Sequence, residues 1–230
     1  MVYRAAQAAA GEERALTDRT ILCFGDSNTH GTRALATLDS QGRFPRAERW
    51  PQVMAAELRD GWEVIAEGHP GRTTVFDDPV EGSHKNGLTV LPALLETHRP
   101  LDLVIVMLGT NDTKTRFSAP AFDIAKGLER IAATIRLSGS GPDRGAPGVL
   151  LAAPVPVVET GVLAPMFAGA AEKSRALAPL LRDVAGRLGT GFVDLGGVAE
   201  VDPVDGVHLT AEGQAAIGRA MAGAVQAMFS

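Results

Sequence analysis

Short apolar runs alternate along this chain with longer segments in which apolar residues recur three and four positions apart. Short runs bounded by turn residues are typical of buried strands, and the longer period is typical of helices. The predicted strands are residues 20–25, 62–67, 102–109, 148–153 and 191–195. The predicted helices are residues 51–60, 88–99, 120–138, 168–188 and 211–228. This alternation predicts an α/β fold, a three-layer α/β/α sandwich built on a five-stranded parallel sheet.

Length and composition favour one domain. The 230 residues carry a net charge of −5, and no change of composition divides residues 20–230, so we expect a single domain there. Residues 1–19 form an Ala-rich N-terminal extension without the apolar core of a signal peptide. No apolar run is long enough to span a membrane. We therefore expect a soluble, cytoplasmic protein, and its acidic balance gives no electrostatic reason for a nucleic-acid or membrane partner.

Two loops and one cysteine need separate interpretation. Cys23 is the only cysteine and lies in the first apolar run, so we expect a buried core residue without an intrachain disulfide. The segments 32–49 and 154–167 are longer than most connections between strand and helix, and such loops are often functional. The second is apolar, and it either lines a pocket, packs against another subunit or folds over its own helices.

The first predicted strand ends in Gly25-Asp26-Ser27-Asn28, a run of turn and helix-cap residues. This arrangement predicts Ser27 on an exposed bend at the carboxyl edge of the sheet, where open α/β sheets bind ligands. The alternative is that Ser27 only caps the following helix.

The second and third strands end in similar small or polar residues, which include Gly71 and Asn111. Parallel strands bring these three endings to one edge of the sheet. A hydroxyl, a glycine N–H and an Asn amide at one place fit an acyl-transfer site, which needs a nucleophile and donors for an oxyanion. Taken singly, Gly71 is equally a turn glycine, and Asn111 a loop-stabilising side chain.

A base for Ser27 is available near the C-terminus. His208 stands three residues after Asp205, with Gly206 between them. A bend there lets the carboxylate reach one imidazole nitrogen and leaves the other free to take the serine proton. The alternative is that both are loop residues before the last helix, which Thr210 is expected to cap.

Together these segments resemble the four blocks of the SGNH hydrolase family, also called the GDSL family. The block residues Ser, Gly, Asn and His match Ser27, Gly71, Asn111 and His208, and the family's Asp three before the His matches Asp205. The resemblance covers residues 20 to the C-terminus with order and spacing preserved. It implies a flavodoxin-like SGNH fold, a Ser27–His208–Asp205 triad, and an oxyanion hole of Ser27, Gly71 and Asn111.

Segments 21–27, 71–74 with 77–79, and 107–114 are most similar to the small bacterial arylesterase and acyltransferase branch of that family. This likeness implies a serine esterase for short-chain acyl esters, aryl esters or acetylated carbohydrates, with acyl transfer to alcohols as a further activity. It also implies homo-oligomers whose subunits narrow the mouth of the site. Two positions depart from the family pattern: Asn28 replaces the usual Leu, and Glu67 replaces a common Asn.

The remaining polar residues indicate neither metal nor cofactor. His69, His84 and His98 lack the close spacing of a metal site, and His30 follows the turn on a helix or loop. We expect Asp26 and Asp112 to anchor loops by accepting backbone N–H bonds, whereas the role of Arg72 stays open between a surface and a substrate-contact residue.

A second hypothesis is non-catalytic. The turn at residues 26–29 precedes a helix and could cradle a phosphate in a flavodoxin-like binding module. This hypothesis leaves Asn111, Asp205 and His208 without a role.

Overall fold

A computed structural model describes residues 19–58 and 61–230. Its sheet has five parallel strands in the order β2-β1-β3-β4-β5. The strands are β1 (Arg19–Gly25), β2 (Trp62–Gly68), β3 (Leu103–Met107), β4 (Gly148–Ala153) and β5 (Gly191–Asp194). The predicted parallel sheet is therefore confirmed, and its strand order is that of flavodoxin-like folds.

Six α-helices accompany the sheet in the described part of the chain. They are α1 (Ser27–His30), α2 (Trp50–Leu58), α3 (Gly87–Thr97), α4 (Ala121–Leu137), α5 (Ala170–Leu188) and α6 (Ala211–Met228). The five long helices begin and end within two residues of the predicted bounds, apart from positions 59–60, which lie outside the described residues. The predicted extension also lies outside them up to residue 18, and Arg19 opens β1.

The core has two halves because the sheet is covered on both faces. Leu22 and Phe24 of β1 point to one face, where they pack with α3, α4 and α5. Ile21 and Cys23 point to the other face, where they pack with α2 and α6. Cys23 is fully buried and unpaired, as predicted, and burial raises the pKa of its thiol.

The carboxyl ends of the strands align. Gly25 stands opposite Gly68 on one side and Met107 on the other. Strand β3 ends two residues before the predicted limit because Gly109 adopts φ +114°, a conformation that only glycine enters readily. The sharp turn brings the segment after β3 back over the end of β1. Between these two strands the sheet order reverses, which is the usual ligand site of such folds.

None of the helices in the described residues is both long and apolar enough to cross a membrane.

Candidate active site

A cavity of about 450 Å³ opens at the carboxyl edge of the sheet, within the size range of small-molecule sites. Four of the five predicted site residues line it: Ser27, Gly71, Asn111 and His208. The fifth, Asp205, is fully buried behind His208. The fold thus gathers at one place residues that are up to 181 positions apart in the sequence.

Ser27 is held by a short helix and not by an exposed bend. The Asp26 carboxylate caps α1 by accepting the Asn28 N–H at 2.9 Å, and the helix ends at Gly31, whose N–H donates to the Ser27 carbonyl. Ser27 keeps only 7% of its surface exposed. The prediction of an exposed bend was wrong because the loops around the cavity cover the turn. The alternative that Ser27 caps the helix was also wrong, because Asp26 does so.

Asp205 and His208 form a buried pair. His208 Nδ1 donates to Asp205 Oδ2 at 2.6 Å, and the same oxygen accepts the Leu35 N–H at 2.8 Å. Burial alone would raise the pKa of Asp205, but these bonds and the charge of His208 lower it to about 2. The carboxylate therefore stays ionised at neutral pH and holds the imidazole by Nδ1. Gly206 makes the bend with φ +72°, and Thr210 caps α6 as predicted.

The imidazole nitrogen Nε2 and the Ser27 hydroxyl border the same cavity. Within the described residues neither has a hydrogen-bond partner, and they are not bonded to each other. Such bonds are often long before substrate binds and tighten in the reactive complex. The arrangement leaves Nε2 available to take a proton at the cavity.

The donors predicted for an oxyanion belong to Ser27, Gly71 and Asn111, which all line this cavity. No carbonyl of the described residues accepts the backbone N–H of Ser27 or Gly71. The Asn111 amide Nδ2 donates to the Arg72 carbonyl at 3.1 Å and lies 3.4 Å from Asp26 Oδ2. The second distance is beyond the usual range for N–H···O, so one amide hydrogen is weakly held.

Arg72 supports the loop that carries Gly71. Its guanidinium is buried, lies 4.4 Å from the Phe24 ring centre, and donates to the carbonyls of Gly25 and Glu67. Burial lowers its pKa to about 10, so it remains charged at neutral pH. Arg72 is therefore neither a surface nor a cavity residue. It ties the end of β2 to the end of β1.

Two buried carboxyl groups lie beneath the cavity. Asp112 accepts both the N–H and the hydroxyl of Thr74, while its second oxygen has no partner in the described structure. Burial raises the pKa of Asp26 and of Asp112 to about 6. Asp112 anchors the segment after β2 by accepting the Thr74 N–H, as predicted. Asp26 accepts a backbone N–H as predicted, but that of Asn28, so it caps α1 and does not anchor a loop.

An ion cluster that sequence analysis did not identify joins the segments after β2 and β3. Lys114 pairs with Glu81 at 2.7 Å, and Arg116 pairs with Asp78 at 2.9 Å. Asp78 is buried and also accepts the N–H groups of residues 80 and 81. The cluster fixes the Gly71 loop against the Asn111 segment. The only sequence signal was the presence of Asp78 and Lys114 within the family-like segments.

His98, His69 and the Glu67 departure have structural partners. His98 contacts Glu67 at 2.9 Å, and neither lines the cavity. His69 lies 3.3 Å from Lys85, and burial together with that charge lowers its pKa to about 4. In residues 19–58 and 61–230 no group of three or more His, Cys, Asp or Glu could hold a metal ion.

The long loops both reach the cavity. Leu35 and Leu38 of the segment 32–49 line it, as do Leu163 and Phe167 of the segment 154–167. The second loop also folds inward, since Leu163 and Phe167 are buried with Val207. Two of the three alternatives for this loop are therefore correct, because it lines the cavity and also folds over its own helices. Contact with another subunit stays a prediction.

Residues 23–216 match the model of the GDSL-like lipase/acylhydrolase family. The chain belongs to this family. It is a carboxylic ester hydrolase, and the non-catalytic binding module is thereby ruled out as its main function. No curated protein matches the chain significantly.

Solved structures agree with this assignment. Est24, a carbohydrate acetylesterase from Sinorhizobium meliloti, is 40% identical with a TM-score of 0.88, over 92% of this chain and 100% of that one. The aryl esterase of M. smegmatis is 38% identical with a TM-score of 0.87, over 91% and 99%. A carbohydrate acetylesterase family member from S. meliloti is 43% identical with a TM-score of 0.84, over 91% and 98%. The chain thus shares the SGNH hydrolase fold with esterases.

Proposed function

We propose that the chain is a serine esterase for short acyl esters, in which Ser27 is the nucleophile, His208 the general base and Asp205 its anchor. One observation carries the proposal. His208 is bound through Nδ1 to a buried carboxylate, while its Nε2 shares a cavity with an unbonded serine hydroxyl. A serine hydroxyl is a weak nucleophile and needs such a base.

In the first step the Ser27 oxygen attacks the ester carbonyl carbon and its proton passes to His208 Nε2. The ionised Asp205 stabilises the imidazolium that forms. The tetrahedral intermediate then expels the alcohol, which takes the proton from Nε2, and leaves the acyl group on Ser27. Water attacks this acyl-enzyme in the same way and releases the acid.

The negative oxygen of the intermediate is stabilised by the N–H groups of Ser27 and Gly71 and by the Asn111 amide. The two backbone donors are not committed to any carbonyl of the described residues. The amide keeps its bond to the Arg72 carbonyl and offers to the oxyanion its other hydrogen, which Asp26 holds only weakly. Such donors stabilise the transition state without reorganisation.

The cavity suits small acyl groups and moderately sized alcohols. Its volume of about 450 Å³ includes an apolar side formed by Leu163, Met166 and Phe167. The solved relatives include an aryl esterase and carbohydrate acetylesterases. We therefore expect aryl acetates and acetylated carbohydrates among the substrates.

Four further features belong to the same proposal. Acyl transfer to an added alcohol is expected where the apolar side of the cavity disfavours water. A homo-oligomer narrows the cavity mouth, and the protein acts in the cytoplasm. Residues 20–230 form the single catalytic domain. Product ratios from an aryl acetate with added alcohol test the first feature, and hydrolysis alone would exclude it.

Covalent labelling tests the central assignment. A small-chain organophosphonate is expected to add once, at Ser27, with parallel loss of p-nitrophenyl acetate hydrolysis, as read by intact mass and peptide mapping. The Ser27→Ala variant should remain folded and unlabelled. A matched control, Ser138→Ala, removes an exposed hydroxyl at the far end of α4 and should label at the normal rate. Turnover by Ser27→Ala at the normal rate would refute the nucleophile.

A further inference from the structure

Asn28 follows Ser27 directly in α1, and its side chain is buried against the segment that carries His208. Its amide nitrogen Nδ2 donates to the Val207 carbonyl at 3.1 Å. Its amide oxygen Oδ1 accepts the Leu209 N–H at 3.2 Å. Only 6% of Asn28 is exposed. One side chain therefore binds the backbone on both sides of His208.

The backbone of His208 itself is bound from the opposite direction. Its N–H donates to Asp205 Oδ1 at 3.0 Å, and its carbonyl accepts the Asp202 N–H at 2.7 Å. The position of His208 is thus determined on one side by its own loop and on the other by Asn28. Among the described residues, only the bonds of Asn28 connect the backbone around His208 to α1, the helix that carries Ser27.

A second buried amide completes the contact. Gln214 of α6 donates to the Asn28 carbonyl at 3.0 Å and accepts the Trp50 N–H at 2.8 Å. Gln214 is fully buried, and both polar atoms of its side chain, like those of Asn28, have partners. A buried polar network whose members are all satisfied specifies one arrangement of the segments it joins.

We propose that Asn28 is a positioning residue that sets the distance and orientation of His208 Nε2 relative to the Ser27 hydroxyl. The proposal rests on the proposed function, in which Ser27 and His208 react together. Leu, the usual residue of the family motif at this position, can neither donate to Val207 nor accept from Leu209. In this chain it would leave two buried backbone groups without partners, and the segment around His208 would move to find others.

The Asn28→Leu variant tests the proposal because it keeps side-chain size and removes both hydrogen bonds. A misplacement of about 1 Å costs roughly 10²-fold in rate, so we expect kcat for p-nitrophenyl acetate and the rate of Ser27 phosphonylation to fall together by about that factor. KM and the pH profile should stay unchanged, since substrate contacts and the Asp205 bond remain. Hydrogen exchange of residues 206–210 should become faster.

A matched control separates positioning from general destabilisation. Asp102→Ala removes the acceptor of the Thr20 N–H at the opposite edge of the sheet. This variant should lose stability and keep the wild-type kcat. If Asn28→Leu does not fold, Asn28→Ala replaces it, because it removes atoms without adding any.

The outcomes distinguish the two proposals. Absence of a Ser27 adduct in the wild-type protein would overturn the proposed function. A normal adduct in the wild type, with a folded Asn28 variant that keeps the kcat and phosphonylation rate of Asp102→Ala, would overturn the positioning role alone.

Discussion

Replacing Asp205 with Asn changes the charge behind His208 while preserving shape. The carboxylate accepts four hydrogen bonds, from His208 Nδ1 and from the N–H groups of Leu35, Val207 and His208. In the variant, Oδ1 still accepts the N–H groups of Val207 and His208. The amide NH₂ takes the place of Oδ2, which in the wild type accepts from Leu35 and from the imidazole.

Two consequences follow from that NH₂ group. The imidazole can accept from it only by moving its own proton from Nδ1 to Nε2, where it blocks transfer from Ser27. Loss of the correct tautomer lowers kcat by about 10⁴-fold, which corresponds to about 5 kcal/mol of transition-state stabilisation. The Leu35 N–H then faces the amide NH₂, which is also a donor, and so loses its acceptor. An unsatisfied buried donor costs about 1–3 kcal/mol of folding stability.

The assay compares kcat for p-nitrophenyl acetate with the unfolding midpoint in urea. Asp202→Asn is the matched control, since this carboxylate lies in the same loop. Among the described residues its side chain accepts only the Val204 N–H. Asp205→Asn at neutral pH should lose about 10⁴-fold in kcat, and the control should lose little. A folded Asp205→Asn protein with the control's kcat would refute the role of Asp205.

The pH of the comparison follows from the pKa of Asp205, which is lowered to about 2 in the folded protein. A carboxyl group with a lowered pKa stabilises the fold fully above its unfolded pKa of about 4. That contribution disappears as the pH falls from about 4 to 2. At neutral pH the wild-type carboxylate is therefore fully ionised. The variant is then compared with a wild-type protein in which Asp205 has one charge state.

Three more changes have expected outcomes. Asn111→Ala should lower kcat by about 10²–10³-fold, the usual loss for one oxyanion donor; an unchanged kcat would remove Asn111 from the hole. Gly71→Ala should lower both kcat and Tm, because Gly71 has φ +81° and a Cβ there would lie 2.6 Å from Glu81 Oε2; wild-type values for both would contradict the required loop conformation. Asp112→Asn should reduce the loss of stability as the pH rises from about 4 to 6, because the raised pKa of Asp112 means that the folded state holds a proton which the unfolded state has released. Urea midpoints across that range measure this effect, and equal slopes for both proteins would contradict it.

The periodicity of the sequence determined the sheet and the long helices. A strand buried on both faces is a continuous apolar run, as in β3, and an amphipathic helix repeats its apolar positions locally, as in α4. Each of these signals is produced by residues that are close together in the sequence. The same local patterns predicted which segments end at the carboxyl edge, and hence that Ser27, Gly71 and Asn111 would approach one another.

Tertiary structure alone decided how those residues are held. Asn28 bonds to a carbonyl 179 positions away, Arg72 bonds to the end of β1, and Asp78 pairs with Arg116 across 38 positions. Ser27 is buried because distant loops cover it, although its own neighbours predict a bend at the surface. Local sequence specifies the backbone conformation of each segment. The partners of a buried polar group are specified only when the chain packs, because any donor or acceptor that the fold brings within reach can satisfy it.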